Sequence, residues 1–353
     1  MTIDASELSV LEPRAEWRRS DVADTTSWTE LLSAGELVEL DRALSHAKSK
    51  STDVLRLGKD DFPLPSLGPR LKRIERELID GRGFVLIRGI PRDKYDKQDA
   101  TLLYWGIGMH LGRPWPQNQK GHLLGDVTDQ GKFASDGTSR GNEIGSIAFP
   151  YHSDGSDLVG LLCLERPKEG GLSTVCNAVA IHNELVRTAP ELAAELYKPQ
   201  PYDFRGEQPP GAAAWYSVPV FTRLGERLFV RYIRPYILAS QRHEEAPRIT
   251  PLAEQAMQLL DRMTEAEEYS VFMDFLPGDM QFINNYHVLH GRTAYVDDRQ
   301  AGLIRHLKRL WLETEVLEDR PPYFRNDQRS HWSKELTVSK VVVSAAGGVE
   351  ERR

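Results

Sequence analysis

FPYHSDGSD, residues 149–157, places a histidine and an aspartate two positions apart, His152-x-Asp154, behind an aromatic, β-prone run. On an extended backbone alternate side chains share a face, so both could meet one ion without bending the chain. A polar turn between strands would read the same way. The rest of the chain must therefore supply a third ligand, a task for the metal, and a fold that brings them together.

Around this stretch the chain reads as strands. SIAFPYH leads into His152, LVGLLCL and STVCNA follow, and RPKEGG between them marks a turn. RLFVRYI (227–233) is a further strand. YSVFMDFLPGDMQFINNYHVLHGRTAY holds two extended segments about a Pro-Gly-Asp turn, and GLIRHLKRLWLE fits a strand as well as a helix. The N-terminal third is helical around one apolar run, GFVLIRG (83–89). Leucines at 32, 37, 40 and 44 predict a helix over 32–47, LKRIERELIDG stops at Gly81, and another helix covers 96–109. Helical spacing returns over 180–197, broken at Pro190, and over 250–263 behind a Thr cap. The polar stretch 115–146 reads as a long loop and the proline-rich 201–223 as an insertion.

The bulk properties are those of a globular chain: 353 residues, 40% hydrophobic, 27% charged. A net charge of -7 gives no general pull toward nucleic acid or an anionic membrane. The first residues lack the pattern of a signal peptide and no apolar run reaches membrane-spanning length, so a cytoplasmic protein is expected. Cys163 and Cys176 read as small buried hydrophobes rather than a disulfide or zinc site. With no repeat or linker, 1–330 is expected to form a single domain with a helical N-terminal part, a motif core over about 80–315, and a tail at 331–353.

Two histidines, His287 and His290, stand near enough to a strand end to complete a metal site, and the spacing favours His290. Two histidines and a carboxylate on a ferrous ion would leave coordination positions free. Arg305 and Arg309, four apart, can both face inward from one strand. Gly278-Asp279 reads as a turn, Asn284 and Asn285 as hydrogen-bonding braces, and Arg292 as a rim salt bridge. Gln117, Asn118, Tyr151, Tyr216 and Tyr232 are candidates for substrate contact, and Trp105, Trp115 and Trp311 for pocket walls.

In order, the chain carries GFVLIRG, H-x-D, GGLS, GDMQFINN, HGRTAY and RHLKRLW. In these it resembles the TauD/TfdA family of iron(II)- and 2-oxoglutarate-dependent dioxygenases, within the clavaminate synthase-like group. The resemblance implies a mainly β fold with flanking helices, a distorted double-stranded β-helix or jelly roll. It implies Fe(II) held by His152, Asp154 and His290, with 2-oxoglutarate and O2 as cosubstrates. The distal carboxylate of 2-oxoglutarate falls to Arg305, helped by Ser173 or its neighbour Thr174. Arg309 either assists or meets an acidic group on the substrate. The implied reaction oxidises, usually hydroxylates, a C–H bond of a small organic molecule and releases succinate and CO2. No nucleic-acid or membrane partner is expected, and a homo-oligomer is compatible with the sequence. Two other classes stay open here: a zinc hydrolase using the same His and Asp, and a non-catalytic jelly-roll binding protein.

Overall fold

The computed structural model describes residues 5–11, 15–133, 141–317, 319–324, 335–339, 341–343 and 349–351. Its principal strands are β1 (Thr29–Leu31), β2 (Phe84–Arg88), β3 (His122–Val127), β4 (Phe149–His152), β5 (Leu158–Glu165), β6 (Ser173–Asn177), β7 (Ser270–Met273), β8 (Met280–Asn284), β9 (Val288–Arg292) and β10 (His306–Glu313). A major sheet runs β1-β2-β8-β5-β10-β3, and a minor sheet runs β7-β6-β9-β4. The helices are α1 (Ala34–Lys50), α2 (Leu67–Asp80), α3 (Lys97–Leu111), α4 (Ala178–Thr188), α5 (Pro190–Leu196), α6 (Arg234–Ser240) and α7 (Pro251–Glu265). This is the mixed β core with flanking helices expected of a jelly roll.

The unbroken apolar runs follow from burial on both faces. In β2, Phe84 and Leu86 point between the sheets, while Val85 and Ile87 face α1, α2 and α3. In β10, Leu307 and Trp311 point inward and Leu310 and Leu312 outward. The minor sheet repeats the pattern: Val175 and Val288 enter the space between the sheets, and Cys176 and Leu289 pack on α4, α5 and α7. Helix ends obey their local chemistry. Ser33 and Glu36 form a reciprocal capping box on α1, Thr250 caps α7 ahead of Pro251, and Gly81 ends α2. Where α3 lies on the sheet, Gly160 leaves room for the Tyr104 hydroxyl, 2.5 Å from where a Cβ would stand.

Two expectations change. Residues 122–127, inside the expected 115–146 loop, form β3, paired antiparallel to β10. Its sequence, HLLGDV, has a glycine and charged neighbours, and pairing with β10 overrides that weak propensity. Residues 134–140 of that loop lie outside the described residues. The 201–223 insertion is ordered as well: Trp215–Pro219 pairs with Pro199–Asp203, and Phe221–Leu224 with Arg227–Val230. Much of the expected 331–353 tail also lies outside the described residues, but Thr337–Val338 adds to the major sheet beside β3. The Pro-Gly-Asp turn stands as read, with the Asp279 carboxylate accepting from Leu276 N–H at 2.8 Å and pairing with Arg88. Among the described residues no helix is long and apolar enough to cross a membrane.

Asp157, wholly buried, ties the segment after the H-x-D stretch to three others. It accepts from the Tyr286 hydroxyl at 2.8 Å, Thr314 N–H at 2.9 Å and Arg320 Nε at 2.9 Å. Removing one partner of a buried ion pair strands the other charge. Asp157→Ala should therefore lower the unfolding free energy by about 3–5 kcal/mol, read from urea midpoints.

Burial pushes His182 down to about 4, where it bonds the Tyr197 hydroxyl at 2.7 Å; burial, with Arg227 nearby, does the same to His287, also to about 4. Their folded pKa values lie below the unfolded value of about 6.5, so in between the unfolded chain binds more protons. Their contribution is whole above pH 6.5 and is lost as pH falls toward 4, on the order of 3 kcal/mol for each group. Urea melts across that window should show the decline. A His182→Gln, His287→Gln double variant should show a flatter profile; an identical slope would refute the assignment.

Candidate metal and cosubstrate site

His290 on β9 stands opposite His152 on β4 in the antiparallel register. Directly opposed residues share a face, and the two rings lie 4.2 Å apart between centroids. Asp154 lies just past the end of β4 rather than within it, so backbone clamps place it instead of strand alternation. Asn285 accepts the Asp154 N–H at 2.7 Å and donates to the carbonyls of Asp154 and Ser156, both at 2.9 Å. Arg231 Nη1 donates to the carbonyls of Ser153 and Asp154 at 3.2 and 2.9 Å. The bracing expected of the paired asparagines thus falls to Asn285.

The Asp154 carboxylate reaches within 3.9 Å of His152 Nε2 and 3.7 Å of His290 Nε2. The three side chains offer ligand atoms all within 4.8 Å of one another. His152 Nδ1 stands 3.0 Å from the Pro150 carbonyl, an acceptor only, so Nδ1 carries the proton and Nε2 turns its lone pair to the cluster. Burial lowers His152 and brings His290, beside it, to about 3, leaving neutral imidazoles of the kind a metal requires. Burial alone would raise Asp154, but Arg309 and the indole N–H of Trp311 hold it well below the usual carboxylate range. Their donors stand 3.1 and 3.0 Å from Oδ2. Two neutral imidazoles and one ionised carboxylate suit an iron(II) ion. His287 is buried among Gly83, Arg227 and Asp80 instead of in this cluster.

Arg305, Leu307, Arg309 and Trp311 all border one cavity of about 630 Å³. Arg305 is 3% exposed and has no ion-pair partner among the described residues. Its Nε reaches the Gly171 carbonyl at 3.4 Å and its Nη1 is buried without a partner. Burial and the neighbouring Arg292 bring it down to about 10. The Gly170-Gly171 turn has φ of +71° and +69°, and a Cβ on Gly171 would stand 3.0 Å from the Arg305 side chain, so glycine fits both conformation and space. Ser173 borders the same cavity and donates to Gln281 Oε1 at 3.0 Å. Thr174 turns to the other face of β6, where it bonds Tyr151. Two buried arginines, Arg305 and Arg292, and a hydroxyl, with Asp297 near but no carboxylate in ion-pair contact among the described residues, fit the distal carboxylate of a 2-oxo diacid.

Other expected contacts divide. Gln117 and Asn118 border the cavity; Gln117 Oε1 accepts from Arg309 Nε at 2.8 Å and its amide donates to the carbonyls of Leu123 and Arg309. Arg309 is thereby fixed on Asp154 and does not reach Ser173. Tyr216 borders the cavity, but Tyr151 and Tyr232 pack in the α4–α7 core and Tyr232 donates to Asp261 at 2.5 Å. A bulge in the β4–β9 pairing brings Phe149 and His152 to the cavity together and leaves Tyr151 behind. Among the described residues Arg292 makes no salt bridge; its Nη2 donates to the carbonyls of Ile144 and Ile147 and its guanidinium lies over Tyr295. Trp105 is a core residue and Trp115 packs half-buried against the core, whereas Trp311 bonds the cluster itself. Arg231 escaped the sequence reading; the second arginine of RLFVRYI carries no signal of its contacts.

The family model "Taurine catabolism dioxygenase TauD, TfdA family" matches residues 45–311. FR-33289 synthase of Streptomyces rubellomurinus (strain ATCC 31215) is 30% identical over 308 residues, covering 86% of this chain and 90% of that protein. Two solved structures share the fold. An asparagine oxygenase in complex with Fe(II), 2S,3S-3-hydroxyasparagine and succinate aligns with a TM-score of 0.64 at 18% identity, over 84% of this chain and 98% of that one. The non-heme iron oxygenase OrfP, in complex with Fe and alpha-ketoglutaric acid, gives 0.62 at 17% identity over 82% and 95%. With the His-Asp-His cluster, these findings establish that the chain belongs to the TauD/TfdA family and is an iron(II)- and 2-oxoglutarate-dependent oxygenase acting on a small molecule.

Proposed function

We propose that this oxygenase hydroxylates an unactivated C–H bond of a small organic molecule carrying an acidic group, with residues 1–330 acting as one domain. In this reading His152, Asp154 and His290 hold iron(II), and Arg305 with Ser173, beside Arg292, receives the distal carboxylate of 2-oxoglutarate. The carrying observation is the pairing of an inward His-Asp-His cluster with two buried arginines that make no ion pair among the described residues, on one cavity. Bound iron with 2-oxoglutarate and O2 supplies the oxidising chemistry. The chain's own part is to orient the carboxylate ligand through Trp311 and Arg309, to fix the His152 tautomer through Pro150, and to keep the cosubstrate end of the cavity dry. A zinc hydrolase or a binding protein gives the Arg305–Arg292 pair no task. A cytoplasmic setting belongs to the same reading and suits two unpaired, buried cysteines.

Titration of the iron-loaded protein with 2-oxoglutarate without oxygen tests this directly. The wild type should develop the weak visible charge-transfer absorption of an iron(II)–2-oxoacid chelate. His290→Ala should lose it and His287→Ala keep it; the reverse would move the ligand role to His287. Trp311→Phe removes one N–H from the Asp154 carboxylate and should weaken iron binding by about tenfold or more. Arg305→Lys keeps the charge but loses the planar fork. It should retain iron and raise the 2-oxoglutarate requirement about tenfold or more; wild-type affinity there would reject the clamp.

A further inference from the structure

Arg231 follows the strand Arg227–Val230 and borders the cavity beside the metal cluster. It is 8% exposed, yet every acceptor it meets is neutral. Nη1 donates to the Ser153 and Asp154 carbonyls, Nη2 donates to the Tyr216 hydroxyl at 3.1 Å, and Nε is buried without a partner. No carboxylate among the described residues lies within ion-pair reach of it. A buried guanidinium left without an anion is costly by several kcal/mol, and neutral acceptors offset only part of that.

The other cavity-facing arginines near the metal cluster already have tasks. Arg309 already spends Nη1 on Asp154 at 3.1 Å and Nε on Gln117 at 2.8 Å. Arg305 and Arg292 lie at the Ser173 end, given to the cosubstrate above. Arg231 stands instead beside an aromatic wall. Tyr202 and Tyr216 stack at 5.4 Å, and Tyr216 and Tyr323 at 5.5 Å, with Arg231 lying over the Tyr202 ring at 5.9 Å. The Tyr202 hydroxyl also donates to the Arg231 carbonyl at 2.5 Å, so side chain and backbone are both held. A prepositioned cation on a rigid wall, next to the carboxylate ligand, is the arrangement that receives a small anion.

We propose that Arg231 is a receptor for a compact anionic group on the substrate, a carboxylate, sulfonate or phosphonate. The inference rests on the oxygenase reading and deepens it. Because the same guanidinium holds the Asp154 carbonyl, a substrate anchored there stands at a fixed distance from the metal carboxylate.

The test uses the protein loaded with iron(II) and saturating 2-oxoglutarate without oxygen, so that the cosubstrate end is filled. Butyrate, propanesulfonate, propylphosphonate and the neutral butyramide are titrated, each read as a perturbation of the visible absorption. At least one anion should bind about tenfold or more tighter than butyramide, and the ranking identifies the group. In Arg231→Gln that ratio should fall to near one; the ratio is internal to each protein and cancels differences in loading. Should Arg231→Gln fail to load iron, Arg231→Lys decides, with the ratio expected to fall severalfold. A wild-type ratio near one, or a ratio the substitution leaves intact, overturns the inference. No absorption in the wild type with iron and 2-oxoglutarate overturns the oxygenase reading itself, a separate and visible failure.

Discussion

The structure turns on one buried carboxylate. Asp154 stays ionised with its side chain 9% exposed, a state that by itself costs several kcal/mol. Its compensation comes from several segments at once: Arg309 and Trp311 on β10, the imidazoles of β4 and β9, and backbone clamps from Asn285 and Arg231. Each of these residues is held in turn. Gln117 fixes Arg309 by accepting from Nε and donating to its carbonyl, and the Tyr202 hydroxyl fixes the Arg231 backbone. The carboxylate therefore joins the two sheets electrostatically at the place where their apolar packing gives way to a cavity.

That change from core to cavity occurs along single strands. The inward positions of β10 and the residue before it read Arg305, Leu307, Arg309, Trp311, all on one face with a period of two. The outward positions Leu310 and Leu312 never leave the apolar packing of α1–α3. One face of the strand can carry charge because the other anchors it. Helices on the far side thus contribute to the precision of the site without touching it.

The sequence made the His-Asp-His cluster legible through the order of its motifs, although backbone clamps rather than strand alternation place Asp154. It also showed the doubly buried strands and the helix caps, whose signals are local. What stayed hidden depended on partners distant in sequence. β3 reads as loop until β10 pairs with it, and Trp311 and Arg231 look like any strand residue until the Asp154 segment folds against them. Tyr151 and Tyr232 were misplaced for a related reason: a bulge resets the alternation of β4, and the far face of the minor sheet is itself a core. Arg309 was read as free to meet a ligand because its pairing to Asp154 spans 155 positions of chain.

The distribution of charge gives the cavity a direction. At its centre Asp154 and Arg309 neutralise one another, so the cluster meets a metal ion with its lone pairs aimed and no excess positive charge on the carboxylate side. At the Ser173 end, Arg305 and Arg292 are buried together, and burial, with the repulsion of Arg292, brings Arg305 down to about 10. Buried like charges of this kind destabilise one another, a cost that a bound anion would lower. Beside the tyrosine stack, Arg231 repeats the arrangement with a single cation. Buried arginines without an ion-pair contact among the described residues thus stand at two separated points around the metal cluster, and the cost of burying them is one that bound anions would lower.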